Sequence, residues 1–337
     1  MDLRAVAGIA AAALIALPPA AEADEARFSD AELRAIVAHG PWPIPIAADP
    51  TNSASGKREA IELGERLFFD QRLSPSGKFS CGTCHVPERN WTDNRTRGAA
   101  IAEVDRNTPT LMNLRLGRHF GWEGVTDTLW KQSMRPILDA RELGASPRHV
   151  AELVRKDEQI SCRYQKTFGH PPSASDDQAV LADVGKVLAA LVETFETPPT
   201  PFDRFRNALA RGDKITPWVY SEAAQRGAKL FVGKGTCTTC HSGPNFSSGE
   251  LRRNGFTQDG PFKVPTLRHL LLTAPYGHHG EIATLADVVR HYSETAGGEV
   301  KPLKLSAAEQ SDLVVFLESL STFNNPWRPD DLNRCRD

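Results

Sequence analysis

The sequence predicts a mainly α-helical protein of two similar domains, and three observations carry that expectation. Leu, Val and Ala recur at helical spacing along the chain while strand signals are few. Two pentapeptides share one pattern, Cys81-Gly82-Thr83-Cys84-His85 and Cys237-Thr238-Thr239-Cys240-His241, and they divide a chain of 337 residues. An amphipathic helical segment precedes each, residues 56–69 and 221–232, with Ile61, Leu63, Leu67 and Phe68 of the first matched by Ala223, Ala228, Leu230 and Phe231 of the second. Cys-x-x-Cys-His is the attachment signature of c-type haem. Its two thiols add across the haem vinyl groups, and the adjacent histidine supplies the proximal imidazole. The expected fold is therefore mainly α, as two cytochrome c-like domains that each bind one covalent c-type haem.

The elements follow in order. Residues 27–40 read as a short helix and 40–50 as a proline-rich extended stretch; helix 56–69 then leads to the first motif. Residues 147–157 and 177–195 read as helices, and Pro198-Pro199-Thr200-Pro201 marks a linker. Helix 221–232 leads to the second motif. Thr284 caps a helix over 284–292, and Ser306, with Glu309 completing a capping box, starts another over 306–320. The domains are expected at 24–198 and 202–325, with a tail at 326–337.

Composition removes other classes. With 40% hydrophobic and 24% charged residues the chain can bury cores and is not disordered. Forty Lys and Arg against 42 Asp and Glu, with no dense basic run, exclude a nucleic-acid partner. Residues 1–23 read as an export signal: Arg4 in a positive n-region, an apolar run from Val6 to Leu17, Pro18-Pro19, then Ala21-Glu22-Ala23 as the cleavage pattern. A buried N-terminal helix is the rival reading. Beyond this segment no apolar run is long enough to span a membrane. The implied location is a bacterial periplasm, in keeping with haem attachment outside the cytoplasm.

A thioredoxin-like redox pair or a zinc site could also use Cys-x-x-Cys, but neither needs the trailing histidine twice in a chain with 10 His. Cys162 and Cys335 are left over. The compartment permits a disulfide between them, and sequence leaves their proximity open.

With His85 and His241 each taking one axial position, the other axial ligand decides the chemistry. The only methionines are Met1, Met112 and Met134, so the second domain has none to offer. Its candidates are His269, His278, His279, His291, Tyr276 and Tyr292. A tyrosine phenolate would stabilise ferric iron and lower the potential. After the first motif come Trp91, Trp122, Trp130, Gln132 and Glu142. The tryptophans could carry holes, and a Gln and a Glu over an open iron could position peroxide and move its protons. Ordinary core packing is the competing reading for the tryptophans.

Taken together the ordered motifs resemble the bacterial di-haem cytochrome c peroxidase and MauG superfamily, over roughly residues 57–325. They are the two Cys-x-x-Cys-His sites, the second with Gly243-Pro244; Arg106-Asn107-Thr108-Pro109-Thr110; Trp122-Glu123-Gly124; Gln132 with Pro136 and Glu142; Val264-Pro265-Thr266-Leu267-Arg268; and Thr273-Ala274-Pro275-Tyr276 leading to His278 and Gly280. The resemblance implies that His85 is proximal at the peroxide-reacting haem and His241 at the second. It implies that Gln132, Pro136 and Glu142 line the first haem's distal pocket, with Glu142 as acid–base catalyst, and that Trp122 lies between the haems. It also implies a Ca²⁺ site from Asn107 and the carbonyls of Thr273 and Pro275; from its residue type alone Asn107 would be read as a turn residue.

Two departures separate the subfamilies. Typical peroxidases of this group carry a histidine that blocks the first iron until the other haem is reduced, and the matching position here is Ala99. At the second haem's distal position they place Met, and the match here is Tyr292, as in MauG-like enzymes; His291 is adjacent and remains a rival ligand. The quinone-forming member has a tryptophan electron exit just before its second motif, where this chain has Gly235. The resemblance thus implies a periplasmic enzyme of the MauG-like, MbnH-like subgroup. Such an enzyme uses H₂O₂ to form a high-valent di-haem state that oxidises aromatic residues, tryptophan above all, of a partner protein. The alternative is a di-haem peroxidase that reduces H₂O₂ to water with electrons from a small redox protein. A third reading is a non-enzymatic di-haem carrier or haem-based sensor.

Overall fold

The computed structural model describes residues 28–323 and 335, apart from positions 46, 214–219, 258 and 296. The expected export signal and all of the expected tail but Cys335 lie outside the described residues.

The architecture is mainly helical. Helix α1 (Asp30–Val37) starts on a Ser29–Glu32 capping box. Helix α2 (Arg58–Phe68) buries Ala60, Leu63, Leu67 and Phe68 and leads to α3 (Cys81–Cys84), the first motif itself. Then come α4 (Leu129–Leu138), α5 (Pro147–Lys156), α6 (Glu158–Phe168) and α7 (Asp177–Val192). After α8 (Pro201–Ala210) and α9 (Glu222–Val232), the second motif forms a tight 3₁₀ turn at Cys237–Thr239. Strands β1 (Leu251–Arg252) and β2 (Phe262–Lys263) pair antiparallel with Leu251 opposite Lys263. Helices α10 (Leu285–Glu294) and α11 (Ala307–Glu318) close the fold on the expected Thr284 and Ser306 caps, the latter as a capping box with Glu309.

Two apolar cores form, one around Leu63, Leu67, Trp91, Ile137, Val150 and Val187, the other around Phe202, Phe205, Phe231, Phe246, Val289 and Phe316. The same device builds both. A methyl group added at Gly64 of α2 would collide with the Val187 carbonyl of α7, and one at Gly227 of α9 with the Asp312 carbonyl of α11. Each motif-bearing half therefore rests on a helix pair in backbone contact through a glycine.

Three features depart from the sequence reading. The segment Pro198–Pro201 is not merely a linker: Thr200 caps α8 in a capping box with Asp203, and Pro201 takes the first helical position, where its missing N–H costs nothing. Helices α4 and α6 were not anticipated, α4 because Pro136 sits inside it and α6 because its face is largely polar. Helix α1 lies in sequence with the first half, yet Ile36 is buried in the second core and Phe28 packs on Phe205 at 5.9 Å. The two halves are thus tied by an N-terminal strap, whose Trp42 indole N–H donates to the Thr197 carbonyl at 2.8 Å. Cys162 on α6 forms a disulfide with Cys335, answering the pairing left open above.

Gly64→Ala and Gly227→Ala should each cost about 1–3 kcal/mol or more, because backbone rather than a pliable side chain must yield. Urea denaturation reads this, and an unchanged midpoint for both variants would contradict the crossing.

Candidate functional site

The proximal sides of the two motifs are built alike. The His85 N–H donates to the Cys81 carbonyl at 2.9 Å, and the His241 N–H to the Cys237 carbonyl at 2.8 Å. The imidazole Nδ1 of His85 lies 2.8 Å from the Trp91 carbonyl, and that of His241 lies 2.9 Å from the Phe246 carbonyl. A carbonyl can only accept, so each Nδ1 carries the proton and each Nε2 presents a lone pair. Burial pulls both imidazoles down, His241 to about 4, which keeps them neutral as metal binding requires. None of the four motif cysteines is in a disulfide. Burial pushes Cys81 and Cys237 up to about 12 and Cys84 up to about 11. A redox dithiol would show the reverse shift.

The residues present fit a haem at each motif. Two thiols and one Nε2 converge at each. Among the described residues, the buried Trp130 Nε1, His269 Nε2 and His291 Nε2 have no hydrogen-bond partner. Buried polar atoms are ordinarily satisfied, so these three are open to a further partner.

Gln132 and Pro136 stand one turn apart on α4 and so share a face. The segment after α4 folds back onto it. Leu143 donates to the Pro136 carbonyl at 3.1 Å, and Glu142 to the Asp139 carbonyl at 3.0 Å. Gln132 Oε1 accepts from Thr126 Oγ1 at 3.1 Å, which leaves its amide N–H groups as donors. Burial holds the Glu142 carboxyl above the ordinary range, with Asp139 adding to the effect. The Glu142 charge in turn raises Cys81 and Cys84. Glu142 is thus brought beside the first motif by a segment folded back on the α4 end that carries Pro136. Cys84 Sγ lies 3.9 Å from the Ala99 carbonyl, which brings the Ala99 backbone beside the first motif.

Between the motifs, the Trp122 indole N–H donates to the Asn107 carbonyl at 2.8 Å, and the Asn107 N–H to the His278 carbonyl at 3.0 Å. The Trp122 and His278 rings are 6.2 Å apart, edge to face. Asn107 commits its amide nitrogen to the Arg95 carbonyl at 2.7 Å, leaving Oδ1 for another partner. Asn94 takes the Leu272 and Ala274 carbonyls at 3.2 and 2.8 Å. The Thr273 and Pro275 carbonyls accept no hydrogen bond among the described residues. Oxygen atoms without donors suit a hard cation such as Ca²⁺.

The six candidates for the second distal position lie in different surroundings. His269 is in the core and donates its backbone N–H to the Leu320 carbonyl; His278 belongs to the seam just described. His279 joins Arg106 and Asp259, and the Tyr276 hydroxyl donates to the Leu270 carbonyl at 3.0 Å. His291 packs on Phe256 at 4.4 Å and its Nδ1 meets Thr295 Oγ1 at 3.0 Å. Tyr292 is held well above the usual phenol range, by burial first and then by the charges of Cys237 and Cys240, while Asn254 pulls the other way. At Gly235 a Cβ would lie 2.7 Å from the Leu230 carbonyl and 3.2 Å from Cys237 Sγ, so a tryptophan does not fit there without backbone movement.

Sequence reading had placed Arg268 only within a motif. It is fully buried, pairs with Asp203 at 2.9 Å through both amino groups, and lies 3.9 Å over the Trp42 ring. Its Nε donates to the Pro244 carbonyl at 2.7 Å, fixing the loop that supplies the acceptor for His241.

Comparison with known proteins agrees with this geometry. Residues 58–211 match the family model of the di-haem cytochrome c peroxidases. The methylamine utilization protein MauG of Methylorubrum extorquens is 34% identical over 78% of this chain and 78% of its own length. The cytochrome c551 peroxidase of Nitrosomonas europaea is 32% identical over 78% of this chain and 80% of its own. The crystal structure of a MauG-like protein associated with microbial copper homeostasis superposes with a TM-score of 0.69 at 27% identity, covering 86% of this chain and 99% of that one.

Arg268→Met should cost about 3–5 kcal/mol, because it leaves Asp203 buried and unpaired. Denaturant melts of the holoprotein measure this; a loss below 1 kcal/mol would show that the pair does not brace the second motif.

Proposed function

The chain belongs to the di-haem cytochrome c peroxidase family and is a peroxide-using oxidoreductase, and within that family we propose that it is a periplasmic, MauG-like enzyme that oxidises aromatic residues, tryptophan foremost, of a partner protein. The observation that carries this reading is the pairing of Ala99, at the position of a blocking histidine, with Tyr292, whose phenol is enclosed beside Cys237 and Cys240. We propose that Cys81, Cys84, Cys237 and Cys240 attach two haems, with His85 and His241 as proximal ligands and Tyr292 as the second distal ligand. Asn107 with the Thr273 and Pro275 carbonyls would hold Ca²⁺ at the seam.

When bound, the two haems supply the peroxide chemistry and store its two oxidising equivalents. The protein's own groups do the rest. Gln132, its Oε1 held by Thr126, offers its amide N–H groups to incoming peroxide. Glu142 takes the proton from the nearer peroxide oxygen and returns it to the departing one. In all, H₂O₂ takes up two electrons and two protons to give two waters, and the partner's aromatic residue gives up the electrons one at a time. Trp122, hydrogen-bonded to the Asn107 carbonyl, keeps the two sites in electronic contact. With Gly235 too crowded for a tryptophan, electrons from the partner enter by another route than in the quinone-forming member, which favours the MbnH-like outcome. Reduction of H₂O₂ by a small redox protein is the second reading, favoured by the similarity to the cytochrome c551 peroxidases.

Glu142→Gln should slow the peroxide reaction about 10²- to 10⁴-fold while leaving both ferric spectra unchanged. Stopped-flow rates in the wild type should fall as pH drops through a pKa above the ordinary carboxylate value, because the carboxylate form accepts the proton, and this limb should vanish in the variant. Equal rates would remove Glu142 from the role. Tyr292→His should keep two haems per chain but raise the potential of one, since a phenolate favours ferric iron; unchanged potentials would contradict the ligand assignment.

A further inference from the structure

We propose that Lys263 is the electrostatic anchor of the second haem: on the side of β2 turned away from the Phe262–His278 stack, its ammonium binds a haem carboxylate and raises that haem's reduction potential. The inference rests on the di-haem reading above. Lys263 ends β2, and successive side chains of a strand face opposite sides. Its neighbour Phe262 faces the seam, stacked on His278 at 3.6 Å with the Arg106 guanidinium 5.0 Å above its ring. Lys263 therefore points away from that stack.

Two hydrogen bonds fix where it stands. The Lys263 backbone N–H donates to the Trp122 carbonyl at 2.8 Å. The carbonyl of the next residue, Val264, accepts from Ser247 Oγ at 2.7 Å, one residue beyond the Phe246 carbonyl that holds His241. Lys263 thus joins the inter-motif tryptophan to the loop of the second proximal histidine.

Its ammonium lacks an anion. Among the described residues no side chain or carbonyl bonds it, whereas Arg106, Arg252 and Arg268 nearby each have a carboxylate. The side chain is half-buried, and desolvation alone pulls its pKa down to about 8. An enclosed, unpaired ammonium is costly. Haem brings two carboxylates on the edge away from its thioether-forming vinyl groups. With the vinyl edge held at Cys237 and Cys240, the carboxylate edge lies on the far side of the ring. A cation there favours the more electron-rich ferrous state, offsetting part of the effect of Tyr292.

The test uses the holoprotein and the variants Lys263→Met, Lys263→Gln and Lys263→Arg. Haem is counted first, by the pyridine haemochrome. A wild type with fewer than two haems per chain overturns the di-haem reading and this proposal together. With two haems in every protein, potentiometric titration follows each haem. The expected result is a tenfold shift toward ferric at the second haem in both Lys263→Met and Lys263→Gln, which is 59 mV for one electron. The first haem should shift less, and Lys263→Arg should stay near wild type. Potentials unchanged in both neutral variants, or a larger shift at the first haem, overturns the assignment of Lys263 and leaves the di-haem reading standing.

Discussion

Two helix crossings that only glycine allows govern everything downstream. Gly64 lets α2 touch the backbone of α7, and Gly227 lets α9 touch that of α11. Each crossing fixes the helix that precedes a Cys-x-x-Cys-His turn, α2 before the first and α9 before the second. The turn then closes on itself through the bond from the His N–H to the Cys carbonyl. A backbone carbonyl a few residues on, Trp91 or Phe246, orients the imidazole. Side-chain chemistry at the two motifs is thus held by backbone geometry, which tolerates variation in the surrounding residues.

On this common frame the two distal sides differ, and the difference is where the chemistry lies. The first is polar and adaptable: Gln132, Pro136 and Glu142 come from a helix end and a segment folded back on it, with the carboxyl raised by burial. The second encloses Tyr292, in the last turn of α10. The seam between them is built from main-chain bonds among Trp122, Asn107, His278 and Lys263, so motion of one half is felt by the other. The strap at Ile36 and Trp42 and the Cys162–Cys335 disulfide add ties away from the seam.

Much of this was legible in the sequence, for identifiable reasons. The motifs are short and chemically unambiguous, α2, α9, α10 and α11 carry apolar periodicity, and the last three start on Ser or Thr caps. Helix α8 was hidden because Pro201 reads as a breaker when its position relative to Thr200 is ignored. Helix α4 was hidden by an internal Pro136, which has no N–H to give to the Gln132 carbonyl one turn back. The packing of α1 on the second core could not be read, because it is a long-range contact of a segment with no unusual local signal. Lys263 and the Arg268–Asp203 pair were invisible for a similar reason: a charge reveals a role only once its surroundings show which anion it has or lacks.

The central claim is that the first site is open in the oxidised protein and shares its oxidising equivalents with a tyrosine-ligated second site. It is tested most directly by adding one equivalent of H₂O₂ to the di-ferric holoprotein, without reductant, while recording EPR and near-infrared spectra. The account predicts prompt loss of both ferric signals, followed by slow return in the absence of a partner. No reaction until one haem is reduced would mean a blocked first site, and would contradict it.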